Sequence, residues 1–369
     1  MRMDITRRDF LSLLERCSPA ARDGALMTMA RMVRLEGSVT GLKCYAVGTT
    51  ISVESKADAV QLEPGRCSVD SVRAIAAVAA MPEGLVHLKC SDEALVVSAG
   101  RRRFTLPLFA IDDFPDIPKS PTGDVFNVPA EAVALCIERT QWARDTSRDF
   151  LNGVLLTLEP GKITGVALNG HAWALTTVPI HNLHGSASFF FPERTLKSIL
   201  ALCPGEQNKL LELATDGRRV FISDQRTLVS ALLPVQKFLE YKQVLDQIER
   251  STVDLIGVDG KELCEAFKAC VVADAESKGS RGILLDISEH GFSVSLKRTE
   301  GSEIDGAIEI DAEILHKDAI RIEADGGYLV HCAQHCDRAL IGGDPAQHLR
   351  IRSADGTYQA IVAPMNTPR

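Results

Sequence analysis

The densest group of side chains suited to metal chemistry is near the end of the 369-residue sequence. His331, Cys332, His335 and Cys336 supply two imidazoles and two thiols, the ligands that zinc prefers. The flanking segments GGYLV and RALIGG predict two strands joined by a short turn. Neighbouring side chains of a strand point to opposite faces, so His331 and Cys332 would diverge. We therefore predict no metal site and no metal cofactor here.

Two other polar groups could suggest catalysis, but turns explain both. Adjacent carboxylates in Asp112-Asp113-Phe114-Pro115-Asp116 precede a proline, which is typical of a solvated turn. Asn169-Gly170-His171 separates two predicted strands, 164–168 and 172–177, and Asn-Gly is a strong turn signal. The sequence contains no Walker A motif, no GxGxxG after a strand, no GxSxG elbow and no HExxH. We expect a binding or structural protein, not an enzyme, with no catalytic residue and no cofactor.

Cysteine usage and composition describe a reduced, globular protein. The ten cysteines are spread along the chain without a CxxC pair, and Cys136 and Cys264 occupy apolar positions of helical patterns. Apolar residues make up 45% and charged residues 24% of the sequence. No apolar run approaches the roughly 20 residues of a membrane-spanning helix. The N-terminal apolar stretch carries charges, unlike a signal peptide, so we predict a cytoplasmic protein.

The charge balance limits how the protein could bind nucleic acid. Its 41 Lys and Arg residues against 49 Asp and Glu residues give a net charge of −8. An acidic protein cannot attract phosphates through its overall field, so any DNA contact requires a local basic surface.

A repeat organises the chain. Six amphipathic helices are predicted at nearly even intervals, and most begin with a residue that favours a helix start. They begin near residues 6, 68, 129, 192, 259 and 311, with the sequences TRRDFLSLLERC, SVDSVRAIAAVAA, PAEAVALCIERTQWA, PERTLKSILALC, DGKELCEAFKACVVA and DAEILHKDAIRI. A shift of 124 residues overlays the second helix on the fourth, and also Phe104 on Leu228.

Alternating segments between the helices predict antiparallel strands, for example 154–158, 218–223 and 283–287. The fold class is therefore α+β, with helices on one face of antiparallel sheets. A segment rich in turn formers at 116–123 marks one junction, and a second junction is expected around 247–252, which gives three units with two helices each. The predicted domains are 1–122, 123–250 and 251–369.

Eight short segments follow one another along the chain: Gly100-Arg101-Arg102-Arg103-Phe104-Thr105-Leu106, Asp113-Phe114-Pro115, Phe150-Leu151-Asn152-Gly153, Asn169-Gly170-His171, Val178-Pro179-Ile180, Tyr241 to Leu245, Arg281-Gly282 and Val362-Ala363-Pro364-Met365. In this order, they make the chain resemble the bacterial DNA sliding clamp, the beta subunit of DNA polymerase III. They run over essentially the whole chain, and it is their order together with the repeat that makes the resemblance specific.

The resemblance implies three clamp-type domains forming a crescent, and two chains closing head to tail into a ring. Helices would line a hole that encircles double-stranded DNA without sequence preference. The protein would tether DNA polymerase III and the clamp loader through a peptide motif. It would act as a homodimeric processivity factor in DNA replication, without a membrane partner.

By the same resemblance, an apolar cleft would bind the partner peptide. Its residues map here to Leu151, Leu168, Gly170, His171, Ala172, Trp173, Leu239, Gln243, Val244, Ile361, Val362, Ala363, Pro364 and Met365. The family usually has Thr-Asp-Gly-His-Arg where this chain has Leu168-Asn169-Gly170-His171-Ala172, Pro at position 239 and Arg at position 243. We expect binding of a modified motif, or weaker binding of the standard one.

The resemblance also assigns residues of this chain to the ring contact and to the surface that faces DNA. The implied dimer interface sets Arg101, Arg103 and Phe104 against Val271, Val272, Glu300 and Glu303. An apolar knob flanked by opposite charges suits a heterologous contact. The implied phosphate contacts are Arg22, Arg73, Arg148, Arg194 and Lys197.

The main alternative is a divergent clamp paralogue that acts as a protein-interaction scaffold, with an altered partner pocket and weak DNA loading. A third possibility, an enzyme on a repeated α+β scaffold, has only the cluster from His331 to Cys336 in its favour.

Overall fold

The computed structural model describes residues 1–23, 31–121, 123–181, 183, 185–204, 208–273, 282–296, 307–343 and 348–365. Seven α-helices lie in this part of the chain: α1 (Arg7–Arg22), α2 (Ser71–Ala79), α3 (Ala130–Thr140), α4 (Glu193–Leu200), α5 (Lys242–Ser251), α6 (Gly260–Ala273) and α7 (Gly326–Ala333). Short 3-10 helices span Ile111–Asp113 and Gln141–Ala143. None of the described helices is long and apolar enough to cross a membrane.

The strands of the first two thirds of the chain are β1 (Arg2–Thr6), β2 (Met32–Ser38), β3 (Gly41–Val47), β4 (Ile51–Ala57), β5 (Val60–Glu63), β6 (Gly65–Asp70), β7 (Leu85–Cys90), β8 (Ala94–Ala99), β9 (Arg102–Pro107), β10 (Phe126–Pro129), β11 (Gly153–Glu159), β12 (Lys162–Leu168), β13 (Ala172–Pro179), β14 (Ala187–Pro192), β15 (Leu210–Thr215), β16 (Arg219–Ser223) and β17 (Thr227–Leu232). The remaining strands are β18 (Val253–Asp259), β19 (Gly282–Ser288), β20 (Gly291–Leu296), β21 (Ala307–Ile310), β22 (Ala312–Ile314), β23 (Ile320–Asp325), β24 (Arg338–Gly343), β25 (Leu349–Ser353) and β26 (Tyr358–Val362). The predicted strands at 154–158, 218–223 and 283–287 fall on β11, β16 and β19.

The chain forms two compact units. Unit 1 comprises residues 1–134 and 191–234, and unit 2 comprises residues 135–190 and 235–369. Unit 1 contains a five-stranded sheet of order β5-β1-β7-β8-β9 and an eight-stranded sheet of order β10-β15-β16-β17-β4-β3-β2-β6. The sheets of unit 2 have the orders β14-β11-β12-β13-β26-β25-β24-β18-β22 and β21-β20-β19-β23.

Each large sheet joins strands from neighbouring thirds of the sequence. In unit 1, β17 pairs antiparallel with β4, and Val229 lies opposite Val53. In unit 2, β13 pairs antiparallel with β26, and Ala174 lies opposite Ala360. These two pairings carry the sheets across the predicted junctions, which explains why the units divide the chain differently from the predicted domains. The three-domain division itself stays a prediction.

Six helices begin directly after a strand, without an intervening loop. The pairs are β1 and α1, β6 and α2, β10 and α3, β14 and α4, β18 and α6, and β23 and α7. Thr6, Asp70 and Asp325 end their strands, and their side chains accept hydrogen bonds from backbone N–H groups of the helix that follows. Asp259 does the same for Glu262 N, at 2.9 Å. A capping residue thus ends the strand and starts the helix at one position.

The prediction of a sixth helix at 311–322 is wrong. Residues 312–314 form β22 and residues 320–325 form β23, because both segments pair with neighbouring strands, for example Val258 with Ala312 and Gly282 with Asp325. The sixth helix of the repeat is α7, which begins at Gly326. Helix α7 also shows that the GGYLV segment is not a strand, whereas RALIGG is β24 as predicted.

Glycine permits close packing at the start of α6. A Cβ atom on Gly260 would lie 1.7 Å from the backbone oxygen of Cys336, which follows α7. Helices α6 and α7 pack against each other, and Phe267 of α6 is fully buried. A residue larger than glycine would therefore force these two segments apart.

We predict that Gly260→Ala lowers the unfolding temperature by several degrees, because overpacking against backbone costs about 1–3 kcal/mol. Gly123→Ala is the matched control, since a Cβ atom there meets nothing within 4 Å. Scanning calorimetry of both variants measures the effect. Equal unfolding temperatures for the two variants would contradict the close approach.

Candidate functional site

A groove lies on unit 2 beside helix α5, the turn between β12 and β13, and the segment after β26. One cavity of about 340 Å³ is lined by Gly170, His171, Trp173, Val244, Gln247, Ile248, Ser251, His348, Ile361 and Ala363. A second cavity of about 570 Å³ is lined by Gly170, His171, Asp325, Tyr328, Ala363, Pro364 and Met365. Gly170, His171 and Ala363 line both cavities, so the two form one groove.

The floor of the groove is an apolar cluster. It contains the buried residues Leu151, Val166, Leu168, Leu175, Tyr241, Leu245 and Ile361. Trp173 and Ile248 are partly buried and pack against this cluster. The cluster joins strands of the sheet to helix α5, so the floor is built before any ligand arrives.

The turn at 169–171 is fixed by its first residue. The Asn169 side-chain oxygen accepts hydrogen bonds from the backbone N–H groups of His171 and Ala172, both at 2.8 Å. The Asn169 amide also donates to the Tyr328 hydroxyl at 3.4 Å. The predicted Asn-Gly turn is therefore confirmed, and His171 is held at the rim by backbone geometry.

The segment after β26 is attached at two points. Ala363 N donates to His171 O and Met365 N donates to Glu323 O, both at 2.8 Å. These bonds hold Pro364 and Met365 along the second cavity. The C-terminal wall of the groove is thus anchored by backbone groups.

The structure brings most of the predicted pocket residues to the groove. Gly170, His171, Trp173, Val244, Ile361, Ala363, Pro364 and Met365 line it. Leu151, Leu168, Ala172 and Val362 lie beneath the surface, each at most 2% exposed. Leu239 and Gln243 are exposed and line neither cavity. Their assignment to a partner site stays a prediction.

Several lining residues were missed by the sequence analysis. Gln247, Ile248 and Ser251 share one face of α5 with the predicted residue Val244, and Tyr328 belongs to α7. Their spacing of three, four and seven residues is a helical signal that could have been found in KQVLDQIERS. His348 precedes β25, and its sequence context gives no signal for a site.

The five cations predicted to contact phosphates are exposed, but two of them are ion-paired. Arg194 contacts Asp23 at 2.9 Å, and Arg148 contacts Asp145 at 2.6 Å. Burial alone would raise the pKa of Asp23, but hydrogen bonds from the backbone of Thr50 and Ile51 and the charge of Arg194 together lower it. Asp23 is therefore a carboxylate at neutral pH and neutralises Arg194. No ion pair is described for Arg22, Arg73 or Lys197 within the described ranges.

Residues predicted for the ring contact lie at two separate places. Phe104 is 39% exposed on β9, which is an edge strand of the five-stranded sheet, and Arg101 and Arg103 are exposed beside it. Val272, near the end of α6, is 72% exposed, and Val271 is half-buried. Glu300 and Glu303 lie outside the described residues.

The cluster from His331 to Cys336 packs within unit 2. His331 stacks on Trp142 with ring centroids 5.4 Å apart, and the Cys336 thiol donates to Cys332 O at 3.7 Å. Burial raises the pKa of Cys336 to about 12, so the thiol stays protonated. In the described part of the chain, no three His, Cys, Asp or Glu side chains are grouped to hold a metal ion. The predicted divergence of His331 and Cys332 was placed on a strand, whereas both belong to α7.

Comparisons with known proteins agree with this architecture. Residues 1–118 match the family model described as DNA polymerase III beta subunit, N-terminal domain. The beta sliding clamp of Pseudomonas aeruginosa is 25% identical over 283 residues, 74% of this chain and 75% of that protein. The beta sliding clamp of Escherichia coli is 25% identical over 252 residues, 67% of each chain.

Solved structures extend the likeness to the whole chain. A sliding clamp from Pseudomonas aeruginosa bound to griselimycin is 21% identical, with a TM-score of 0.89 and full coverage of both chains. The DNA polymerase III beta subunit from Thermotoga maritima is 21% identical, with a TM-score of 0.86 and the same coverage. The fold is thus the one that these beta clamp structures share. Residues 1–118 thus match the family of the DNA polymerase III beta subunit, and over about three quarters of its length the chain is similar to bacterial beta sliding clamps, as a divergent relative.

A pH measurement tests the packing of His335. Burial, with help from the charges of Arg139 and His331, lowers the pKa of His335 from 6.5 to about 4. The unfolded chain therefore takes up a proton before the folded chain does, and stability falls as the pH decreases from about 6.5 towards 4.

We predict that His335→Gln removes this part of the acid sensitivity. The unfolding temperature of the wild type should fall relative to that of the variant between pH 6.5 and 4, with a constant difference above pH 7.5. Parallel curves over the whole range would contradict the buried, neutral imidazole.

Proposed function

We propose that the protein is a DNA sliding clamp. Two copies associate head to tail into a ring of crescent-shaped, three-domain chains that encircles duplex DNA in the cytoplasm. The groove on unit 2 anchors a peptide motif of DNA polymerase III and of the clamp loader, so that the polymerase stays at the template. The observation that carries this proposal is the preformed groove in a chain that is similar to bacterial beta sliding clamps.

The groove suits a short peptide with apolar side chains. Its floor is apolar and buried, whereas its rim offers His171, Gln247 and Ser251 as polar partners. Apolar anchors supply affinity, and a few polar groups fix the orientation of an extended ligand. Because Leu168 and Ala172 replace a threonine and an arginine that the family usually has, the groove depends more on apolar contacts.

We predict that Val244→Asp weakens binding of a fluorescent peptide carrying the family's clamp-binding motif at least tenfold, about 1.4 kcal/mol. The substitution places a carboxylate on the wall of the apolar cavity. Val235→Asp is the matched control, because Val235 is fully exposed and lines neither cavity. Fluorescence anisotropy gives both dissociation constants. Equal affinities for the two variants would exclude this groove as the peptide site.

Unpaired strand edges support the proposed ring contact. Strand β9 ends one sheet and β21 ends another, so each has backbone groups without a strand partner within the described part of the chain. Such edges invite pairing with a second chain. Phe104 on β9, with Arg101 and Arg103 beside it, and Val272 on α6 are exposed and supply apolar and charged surfaces for a heterologous contact.

We predict that Arg103→Glu shifts the protein from dimer to monomer in sedimentation velocity runs. The reversed charge would repel the acidic segment that contains Glu300 and Glu303 in the other copy. Arg218→Glu is the control, since Arg218 is exposed in the turn before β16. A monomer fraction that is the same in both variants would exclude Arg103 from the contact.

The proposed DNA contact is weak and depends on encirclement. Arg22, Arg73, Arg148, Arg194 and Lys197 supply the cations, but Asp23 and Asp145 already neutralise two of them. A net charge of −8 adds no attraction for phosphates. Retention must therefore come from a closed ring, which needs no base contact and permits sliding.

A further inference from the structure

Helix α5 is a wall between two cavities of unit 2. The residues that line the groove share one face of the helix: Val244, Gln247, Ile248 and Ser251. The residues of its opposite face line a further cavity of about 340 Å³: Lys242, Leu245, Asp246 and Glu249. Strands β11, β12 and β13 and residues 356–359 supply the other walls of this second space, which we call the polar cavity. A shift of α5 would therefore change the shape of the groove.

Few apolar contacts hold α5 in place. The structure describes the whole helix, and of its ten residues only Leu245 is buried. Ile248 is partly buried and packs against the apolar floor of the groove. Most of the stability of a short helix comes from packing of its apolar face, and this face is small in α5. The position of the helix must therefore depend on polar contacts as well.

The sheet below the polar cavity offers polar groups to the helix. Thr157, Thr164 and Thr177 lie opposite one another on the neighbouring strands β11, β12 and β13. Glu159 and Lys162 form the next pair on β11 and β12. The apolar floor of the groove thus changes to hydroxyl and charged groups on the far side of α5.

Two polar contacts join α5 to this sheet. The Lys242 ammonium lies 2.8 Å from the Glu159 carboxylate, which also contacts Lys162 at 3.2 Å. Hydrogen bonds from Lys242 and Lys162 lower the pKa of Glu159, so the group is a carboxylate at neutral pH. Seven residues after Lys242, the Glu249 carboxylate accepts a hydrogen bond from the Gln359 amide at 3.0 Å.

These contacts span the width of the helix position on the sheet. Glu159 belongs to β11 and Gln359 to β26, which are three strand spacings apart in the sheet, about 14 Å. A helix of ten residues is about 15 Å long. The two contacts therefore hold α5 near both of its ends.

The C-terminal end of α5 has an additional, buried attachment. Arg350 is 8% exposed, contacts Asp254 at 2.8 Å and donates to Thr252 O at 3.5 Å. Thr252 directly follows the helix, and its N–H donates to Ile248 O at 3.0 Å. Breaking a buried ion pair is costly, whereas the Lys242 side chain is 57% exposed. The contact of Lys242 with Glu159 thus governs the end of the helix that can shift more readily.

We propose that Glu159, Lys242 and Gln359 are positioning residues for the peptide groove. None of the three lines either cavity of the groove. They act through α5, because they hold the helix against the sheet from the far side and so fix Val244 and Ile248 at the groove. Without them the helix spends part of its time in positions that do not accept the peptide, and the apparent affinity falls by the fraction lost. This inference rests on the proposed function of the groove.

The test reverses one charge and then restores the ion pair. Lys242→Glu sets two carboxylates against each other, and we expect the dissociation constant of the fluorescent peptide to rise about threefold, as for a competent fraction of about one third. Adding Glu159→Lys again places one carboxylate between two ammonium groups, since Lys162 is retained, and should restore the affinity of the wild type. Lys261→Glu is the matched control, because Lys261 is exposed on α6 and lines none of these cavities.

The contact of Gln359 is tested in the same assay. Gln359→Met keeps a side chain of similar length but cannot donate a hydrogen bond to Glu249, so we again expect a rise of about threefold. Unfolding temperatures of all variants are measured in parallel and should match that of Lys261→Glu. Weaker peptide binding at an unchanged unfolding temperature, with recovery in the double variant, separates positioning from a general loss of stability.

Hydrogen exchange gives a second readout that needs no peptide. The backbone amides of α5 should exchange faster in Lys242→Glu than in Lys261→Glu, and the double variant should resemble the wild type. Equal peptide affinities of these two single variants, or equal exchange of α5 in them, would overturn the positioning role.

Failure of the groove itself gives a different result. If the wild type binds no peptide, or if Val244→Asp and Val235→Asp bind it equally, the proposed function is wrong. Exchange of α5 in Lys242→Glu then still decides whether the ion pair holds the helix. If Val244→Asp weakens binding but Lys242→Glu does not, the groove stands and the positioning role is wrong.

Discussion

The antiparallel pairing of β13 with β26 is the interaction on which the candidate site depends. It joins strands from the middle and the last third of the sequence, and its last pairs, Trp173 with Ile361 and Ala172 with Val362, lie at the groove. The hydrogen bond from Ala363 N to His171 O continues this pairing past the end of β26. Without this register, the turn after β12 and the C-terminal segment would not face one cavity. The pairing of β17 with β4 joins the first and middle thirds in the same way within unit 1.

Sequence periodicity predicts much of this fold because the same local arrangement, a strand followed directly by a helix, recurs along the chain. Five of the predicted helices begin within three residues of the observed starts at 7, 71, 130, 193 and 260. The sixth was misplaced because Gly326 and Gly327 have low helix propensity and favoured a turn. The signal was nevertheless present, since Asp325-Gly326 repeats the Asp259-Gly260 pair that starts α6. Pairing with neighbouring strands outweighed the helical pattern at 311–322.

The candidate site was less predictable than the fold. Residues of the turn at 169–171 and of the C-terminal segment were found through the family resemblance, since nothing in their spacing places them together. Gln247, Ile248 and Ser251 were missed because α5 lies outside the repeat of strand followed by helix. The ion pair between Arg194 and Asp23 could not be predicted from the sequence either, because it depends on the tertiary contact between α1 and α4. When two opposite charges are far apart in a sequence, the sequence does not show how close they lie in the folded protein.

Charge and topology together define how such a protein would hold DNA. The protein has a net charge of −8, and two of its candidate cations are already paired with carboxylates. If it held DNA through phosphate contacts alone, without encircling it, the complex would dissociate readily as the salt concentration increases. A closed ring removes this limit, since release then requires an opened interface or a free DNA end. The ordinary features of the chain, such as apolar sheets, capped helices and an apolar groove, are consistent with a protein that binds and positions its partners.

The most direct measurement compares retention of the protein on circular and on linear DNA. The protein is loaded by a clamp loader with ATP onto nicked circular duplex DNA and isolated by gel filtration at high salt. The sample is then divided, and one half is cut once with a restriction enzyme. We expect the protein to stay with the circle and to leave the linear DNA by sliding off its ends. Equal retention on both forms, or loss from the circle at high salt, would contradict encirclement.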